Sequence, residues 1–160
     1  MKAETKLSFM IYLLTFFKIP IIAFMRPRVL ELSEKRSVVE IKLKRRTKNH
    51  LGAMYFGALT VGAELTCALK AVELVFLKKK PINFLFKDFK ADFLKRAEGD
   101  VHFICEQTKD VEDLISKALL SGEREEKIIR GKAFEVSNLN DHIMTFELTL
   151  SLKKRGIKTL

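Results

Sequence analysis

Tryptophan is absent from this 160-residue sequence, and cysteine, proline and glycine are scarce, with two, three and seven copies. So few glycines and prolines leave no material for a long flexible linker, and no internal repeat or low-complexity tract is present. The two cysteines, Cys67 and Cys105, lie in apolar segments and form neither a C-x-x-C metal pair nor a disulfide framework. We therefore expect both thiols to be reduced core residues of a cytoplasmic protein.

The bulk composition is that of a globular protein. Hydrophobic residues make up 48% of the chain and charged residues 31%, which excludes a disordered polypeptide. At this length a single domain, residues 1–160, can bury a substantial core. We divide it into an N-terminal helical extension, residues 1–28, and a core, residues 37–155.

The formal net charge is +10, and the excess cations are concentrated in residues 42–48, 77–81 and 152–158. None of these segments carries a nucleic-acid motif or aromatic residues that would stack on bases. Solvated ends of strands and helices are the simplest interpretation, and a surface that attracts a phosphorylated ligand is the next. Nucleic acid ranks last, and we expect no such partner.

The N-terminal segment, residues 7–25, is strongly apolar and follows two lysines, as a signal peptide or membrane anchor would. Lys18 and Pro20 interrupt it, and the uninterrupted part, residues 9–17, is too short to span a bilayer. We favour a helix that packs on the rest of the domain. Peripheral membrane contact and a true anchor remain as less favoured alternatives.

Hydrophobic periodicity predicts the elements of the first half of the chain. A helix covers residues 4–17, with Pro20 stopping or kinking it. Residues 37–45 alternate between apolar and charged side chains, as a half-buried strand does. After a loop at residues 49–52, a long helix runs to about residue 76. Its many small residues suit close backbone approach, so we expect a sheet to wrap it.

The second half of the chain predicts four strands and one helix. Strands are expected at residues 83–95, 100–107, 126–137 and 142–153, with a bulge or bend near Lys87 where the apolar phase slips. A short helix lies between the second and third, with Asp110 as its N-cap and Gly122 at its end. Residues 138–141 have the chemistry of a turn. The order predicts an α+β fold, with a largely antiparallel sheet around a buried helix.

Four residues at the start of the long helix carry a motif. Asn49, Gly52, Gly57 and Glu64 keep every spacing of N-x-x-G-x-x-H-G-G followed, seven positions later, by an acid. In this respect the chain resembles the hot-dog thioesterases that are similar to phenylacetyl-CoA thioesterase. Two longer stretches, residues 17–29 and 49–59, look like a bacterial branch of that superfamily without an assigned substrate.

The resemblance implies a curved antiparallel sheet wrapped around one long central helix, with an extra N-terminal helix and a short inserted helix. It implies hydrolysis of an acyl thioester, with acyl-CoA as the natural substrate and no cofactor or metal. Glu64 would be the general base or nucleophile, Asn49 would orient water or the carbonyl, and the backbone N–H of Gly57 would hold the oxyanion. A homodimer or a dimer of dimers is also implied, with Asn49 and Glu64 contributed by different chains.

The chain departs from the motif at two positions, where Tyr55 and Phe56 replace His-Gly. Tyr55 presents a hydroxyl but no imidazole, and Phe56 narrows the space beside the helix start. We count these two residues, with Gly52 and His50, as candidate substrate-binding residues. His50 lies off the motif position, and its simplest interpretation is an ordinary histidine of a surface loop.

A second function stays open beside hydrolysis, namely a non-catalytic hot-dog protein that binds acyl-CoA, a fatty acid or another lipid. The missing His-Gly pair and the thirteen phenylalanines favour it, because an apolar interior suits a long chain. For the site residues, the ordinary alternatives are a solvated helix residue for Glu64, a loop or capping residue for Asn49 and a packing glycine for Gly57.

Overall fold

A computed structural model describes residues 3–156 of the chain. It begins with two helices, α1 at Ala3–Lys18 and α2 at Pro20–Met25. The predicted first helix is confirmed to within one residue at each end. Pro20 ends α1 and also begins α2, because a proline lacks only an N–H that the first helical turn leaves unpaired.

The described residues form one antiparallel sheet of seven strands. The strands are β1 Arg28–Leu32, β2 Ser37–Ile41, β3 Ile82–Phe86, β4 Lys90–Phe93, β5 Val101–Cys105, β6 Arg124–Glu135 and β7 Asn138–Lys154. Their order across the sheet is β1-β2-β5-β6-β7-β3, and β4 also pairs with β7. The sheet curls into a half-barrel, as the resemblance implies.

The long helix α3, Phe56–Val72, is the buried helix that the sequence predicts, and a π-helical turn at Glu73–Leu77 extends it. Thirteen of its seventeen residues are buried. Gly62 brings the helix against the sheet, since a Cβ there would lie 2.4 Å from Cε2 of Phe103. The small residues of α3 therefore set the distance between helix and sheet.

The inserted helix α4, Thr108–Ser121, begins three residues earlier than predicted. Asp110 is not its N-cap, since Gln107 holds that position and donates its side-chain N–H to the Asp110 carboxylate at 2.8 Å. The hydroxyl of Thr108 donates instead to the Glu34 carbonyl at 2.7 Å and so ties the helix start to the loop before β2. Gly122 ends the helix as predicted, with φ at +72°.

The bend expected near Lys87 separates β3 from β4, which pair with different parts of β7. Asp88 fills the gap, because its carboxylate accepts hydrogen bonds from the backbone N–H of Thr149 at 2.9 Å and from its hydroxyl at 2.8 Å. The predicted turn at residues 138–141 is wrong. The hairpin instead turns at residues 136–137, because Glu135 already pairs with Asn138.

Strand β2 is shorter than the predicted strand 37–45, and all five of its residues are buried. Glu40 was expected on a solvated face, but it is buried. Strand β1 covers it by pairing with β2, and the sequence did not predict β1. The Glu40 carboxylate accepts a hydrogen bond from Arg28 Nη1 at 2.9 Å and lies 3.5 Å from Nε2 of His102. A buried carboxylate paired with an arginine in this way has a structural role.

Candidate active site

The loop that leads into α3 is held at its base by Thr47. This side chain is fully buried, and its hydroxyl donates to the Lys42 carbonyl at 2.7 Å and accepts from the Lys44 N–H at 2.8 Å. Its carbonyl accepts the N–H of Tyr55 at 2.7 Å. The two ends of the motif loop are therefore fixed relative to each other.

Asn49 shapes the loop between these ends. Its side-chain oxygen accepts the N–H of Leu51 at 2.9 Å, and its backbone carbonyl accepts the N–H of Gly52 at 3.1 Å. Gly52 has φ at +83°, a conformation that favours glycine. Asn49 thus acts as a turn residue, and its side-chain nitrogen makes no hydrogen bond to any described residue. His50 is exposed at the loop tip.

At the start of α3, Tyr55 is the N-cap, and its carbonyl accepts the N–H of Ala58 at 2.9 Å. The N–H groups of Phe56 and Gly57 lie in the first turn, where a helix offers no acceptor, and such groups can bind an anion or a carbonyl oxygen. The ring of Tyr55 lies over Gly57, since a Cβ there would stand 2.5 Å from Tyr55 Cε1.

Glu64 lies two turns further along α3, at the rim of a cavity of about 680 Å³ between α1, α2, α3 and β3. Its side chain reaches solvent, and the surrounding protein raises its pKa because burial disfavours the charged form. The walls beneath it are apolar and include Leu14, Ile22 and Ala68. Glu64 is therefore a carboxylate at the mouth of an apolar cavity.

Two cations share the cavity rim with Glu64, namely Lys18 at the end of α1 and Arg155 after β7. The Arg155 guanidinium donates to the side-chain oxygen of Asn83 at 3.2 Å and to the Ile82 carbonyl at 3.3 Å. These contacts hold Arg155 beside β3. The rim is thus polar and mostly cationic, while the interior is apolar.

Within one chain, the motif residues do not all line this cavity. Glu64 lines it, but Asn49 and Gly57 do not, and seven helical residues place Gly57 about 10 Å from Glu64 along the axis. Tyr55, Phe56, Gly52 and His50 also lie outside the lining. The structure therefore places six of the seven predicted site residues at the helix start and Glu64 by itself at the cavity.

Exposed apolar side chains surround the helix start. Leu51, Tyr55, Phe56, Phe93 and Leu94 are each between 43% and 62% exposed, and we call them the helix-start patch. The rings of Phe56 and Phe93 are 5.2 Å apart and join the start of α3 to β4. Exposed apolar side chains grouped in this way are typical of a surface that contacts another molecule.

Sequence reasoning did not identify Lys18 and Arg155 as residues of the cavity rim. In the sequence Lys18 is only an interruption of an apolar run. Arg155 lies in the basic tail, whose charge gave no position. Only the fold brings both residues to Glu64.

Within residues 3–156, no group of three His, Cys, Asp or Glu side chains is placed to hold a metal ion. No described helix is both long and apolar enough to cross a membrane. Cys67 and Cys105 are buried and form no disulfide, as expected of core residues, and burial raises the pKa of the Cys67 thiol.

Comparison with known proteins identifies the family. The protein-family model described as "Domain of unknown function (DUF4442)" matches residues 9–138 of this chain. No curated protein matches.

Solved structures share the fold. A protein with unknown function from Chlorobaculum tepidum is 12% identical, has a TM-score of 0.77 and covers 96% of this chain and 100% of its own. A protein of unknown function from Pseudomonas aeruginosa, described as a probable thioesterase, is 21% identical, has a TM-score of 0.73 and covers 97% and 99%. A thioesterase from Haemophilus influenzae is 13% identical, has a TM-score of 0.63 and covers 88% and 87%. The chain has the hot-dog fold that the sequence resemblance implies.

Proposed function

Starting from the fact that the chain belongs to the DUF4442 family, we propose that it hydrolyses an acyl thioester, with acyl-CoA as the substrate. The observation that carries the proposal is the cavity under Glu64, which has apolar walls and a cationic rim. An acyl chain fits apolar walls, and the phosphates of CoA fit Lys18 and Arg155. Two of the structural relatives, the probable thioesterase from Pseudomonas aeruginosa and the thioesterase from Haemophilus influenzae, agree with this class of reaction.

Glu64 is the proposed base or nucleophile. Acting as a base, its carboxylate takes a proton from water while the water oxygen attacks the thioester carbon. The C–S bond then breaks, and the thiolate leaves and takes up the proton. The raised pKa of Glu64 suits this role, because a base is most effective when its pKa lies near the working pH.

The helix start is the proposed oxyanion site. Gly57 donates its backbone N–H to the oxygen of the tetrahedral intermediate, supported by the positive end of the α3 dipole. The unpaired side-chain nitrogen of Asn49 orients the water or the carbonyl. The ring of Tyr55 must move aside for an oxygen to reach Gly57, and its half-exposed position permits this.

Two copies of the chain are required by this proposal, because Gly57 and Glu64 lie too far apart in one copy to act on the same carbonyl. We propose a homodimer in which the helix start of one subunit faces Glu64 of the other. The exposed helix-start patch supports this, since pairing would remove its apolar side chains from water. Mixed dimers test the arrangement: a chain with Glu64→Gln and a chain with Gly57→Pro should together form one intact site.

Turnover of acyl-CoA by purified protein tests the function. Wild type is compared with Glu64→Gln and with Glu123→Gln, a matched control on an exposed glutamate outside the cavity. We expect hydrolysis by wild type and by the control, and a loss of about a hundredfold or more in Glu64→Gln, as removal of a general base causes. Normal turnover in Glu64→Gln would overturn the role of Glu64.

The second candidate is a binder of acyl-CoA or of fatty acid that performs no reaction. Replacement of the motif's His-Gly by Tyr55 and Phe56 favours it, because the helix start then presents aromatic surface in place of an imidazole. It predicts that purified protein retains a lipid, detected by mass spectrometry after extraction, and that no acyl-CoA is hydrolysed. Turnover that is lost with Glu64→Gln would eliminate this alternative.

A further inference from the structure

The two N-terminal helices expose a row of large apolar side chains. On α1 these are Phe9, Leu13, Phe16 and Phe17, at 57%, 43%, 53% and 76% exposed, and on α2 they are Ile21 and Phe24, at 58% and 60%. We call these six residues the N-terminal apolar face. The spacing of Phe9, Leu13 and Phe16 places them on one side of α1, and Phe17 adjoins it.

Packing within the chain does not account for this face. The opposite side of α1 supplies the core, through Ile11 at 1% and Thr15 at 3% exposed, and α2 supplies Ile22 and Met25. A helix that is apolar on its inner side alone would suffice for that packing. The outer phenylalanines therefore point to a second apolar surface outside the chain.

Charge indicates which surface this is. Residues 5–30 contain four cations, Lys6, Lys18, Arg26 and Arg28, and not one carboxylate. Arg28 pairs with Glu40 of β2, so Lys6, Lys18 and Arg26 carry the local charge. This local bias lies within a chain of net charge +10. Apolar side chains bordered by cations alone match an anionic lipid surface, where acyl chains lie beneath negative headgroups.

A groove at the same place provides a position for a headgroup. It holds about 610 Å³ and is lined by Phe16, Ile21 and Phe24 together with Arg26 and Arg46. The Nε–H of Arg46 is buried and finds no acceptor among the described residues. A buried guanidinium donor without an acceptor is costly unless a ligand supplies one, and a phosphate oxygen is a suitable acceptor.

We propose that the N-terminal apolar face docks the protein on an anionic phospholipid bilayer, with a lipid phosphate held by Arg26 and Arg46. The docked helices lie in the plane of the interface, since no described helix is long and apolar enough to cross it. The inner sides of the same helices line the cavity, through Leu14 and Ile22. A lipophilic ligand leaving the bilayer would therefore meet the cavity directly, and the docking itself does not depend on any reaction.

Vesicle flotation tests the apolar part of the proposal. Full-length protein is mixed with vesicles of phosphatidylglycerol and phosphatidylcholine in equal parts, or of phosphatidylcholine alone. We expect binding to the anionic vesicles and a loss of roughly tenfold for Phe17→Glu and for Phe24→Glu. Leu120→Glu, a matched change at a 90% exposed leucine on α4, should bind like wild type. Equal loss in all three variants, or no loss in the first two, would overturn the proposal.

A substitution of Arg26 tests the cationic part of the proposal. Arg26→Asn suits the left-handed backbone at this position, φ +52°, and should weaken binding about fivefold, as expected for one cation near a charged surface. High salt should weaken binding of wild type in the same direction. Equal binding to both vesicle types would contradict the role of the arginines.

Sedimentation velocity separates the bilayer from a second copy of this chain. The bilayer proposal predicts that Phe17→Glu and Phe24→Glu leave the oligomeric state unchanged. If these variants dissociate an oligomer and wild type does not bind vesicles, the face is an interface between copies, and the proposal is wrong. Because no step uses hydrolysis, failure of the thioesterase proposal would leave this test unaffected.

Discussion

The ring of Phe103 in β5 lies against the backbone of Gly62 in α3, so closely that a Cβ on Gly62 would stand 2.4 Å from Cε2 of the ring. Phe103 is fully buried in the core. This contact fixes the central helix against the sheet. The same placement of α3 positions Glu64 at the cavity rim.

Gly62→Ala should destabilise the protein by about 1–3 kcal/mol, because the added methyl group overpacks the helix–sheet contact. Gly57→Ala is a matched control in the same helix. Its methyl group meets the ring of Tyr55, which is half exposed and can swing away, so we expect little loss or a small gain from the better helix propensity of alanine. Urea denaturation of both variants measures the difference, and equal costs would contradict the account of packing.

The pH dependence of activity should follow the ionisation of Glu64. Burial raises the pKa of this carboxyl above its ordinary value of 4.5, and a base works only in its ionised form. Hydrolysis of acyl-CoA should therefore rise with pH through a midpoint above 4.5. A rate that is flat from pH 4.5 upward would show that another group supplies the base.

Stability should change with pH in the opposite direction. A carboxyl whose pKa is raised in the folded state stabilises the protein when it is protonated, and this contribution is lost as pH rises through the folded-state pKa. Relative to Glu64→Gln, wild type should lose stability as the pH increases above 4.5. Denaturation midpoints of the two proteins across this range measure the effect, and parallel curves would contradict a raised pKa.

Ala68→Leu should shorten the acyl site, because Ala68 lines the cavity under Glu64. We expect long-chain acyl-CoAs to lose turnover much more than short-chain ones, with little change in melting temperature, since the side chain enters open volume. Ala71→Leu is the matched control. Ala71 is fully buried outside the cavity lining, so its enlargement should cost stability by about 1–3 kcal/mol. Equal loss for all chain lengths in Ala68→Leu would place the acyl chain elsewhere.

Lys18→Ala should raise the KM for acyl-CoA roughly fivefold, because the variant loses one exposed ion pair with a phosphate. The same variant should act normally on acyl thioesters of N-acetylcysteamine, because these lack the phosphates of CoA. Lys117→Ala removes an exposed cation on α4 outside the cavity and should change the KM for neither substrate. An equal effect of Lys18→Ala on both substrates would show that Lys18 does not contact phosphate.

Periodicity and spacing predicted the fold well because local patterns report burial. The small residues of the central helix, the alternation of β5 and β7, and the phase slip at Lys87 each correspond to an observed feature. The errors arose where distant contacts decide. Strand β1 and the burial of Glu40 depend on pairing between β1 and β2, and the start of α4 depends on the bond from Thr108 to Glu34.

The candidate site was only partly accessible to sequence reasoning. The motif located the loop at Asn49 and the helix start at Gly57, and it selected Glu64. It gave no indication that Lys18 and Arg155, 137 positions apart, meet at one rim. Such a rim is a property of tertiary structure, and a basic tail reads the same in sequence whether or not it faces a ligand.

A crystal structure with a non-hydrolysable acyl-CoA, in which a methylene group separates the carbonyl from sulfur, tests the central claim most directly. We predict that the acyl chain lies along Ala68 and Ile22, with the Glu64 carboxylate at or within one water of the carbonyl carbon, about 3–5 Å away. The carbonyl oxygen should accept the N–H of Gly57 from the partner chain. An acyl chain bound outside this cavity would contradict the account. So would a carbonyl that lies far from the Glu64 carboxylate of both subunits.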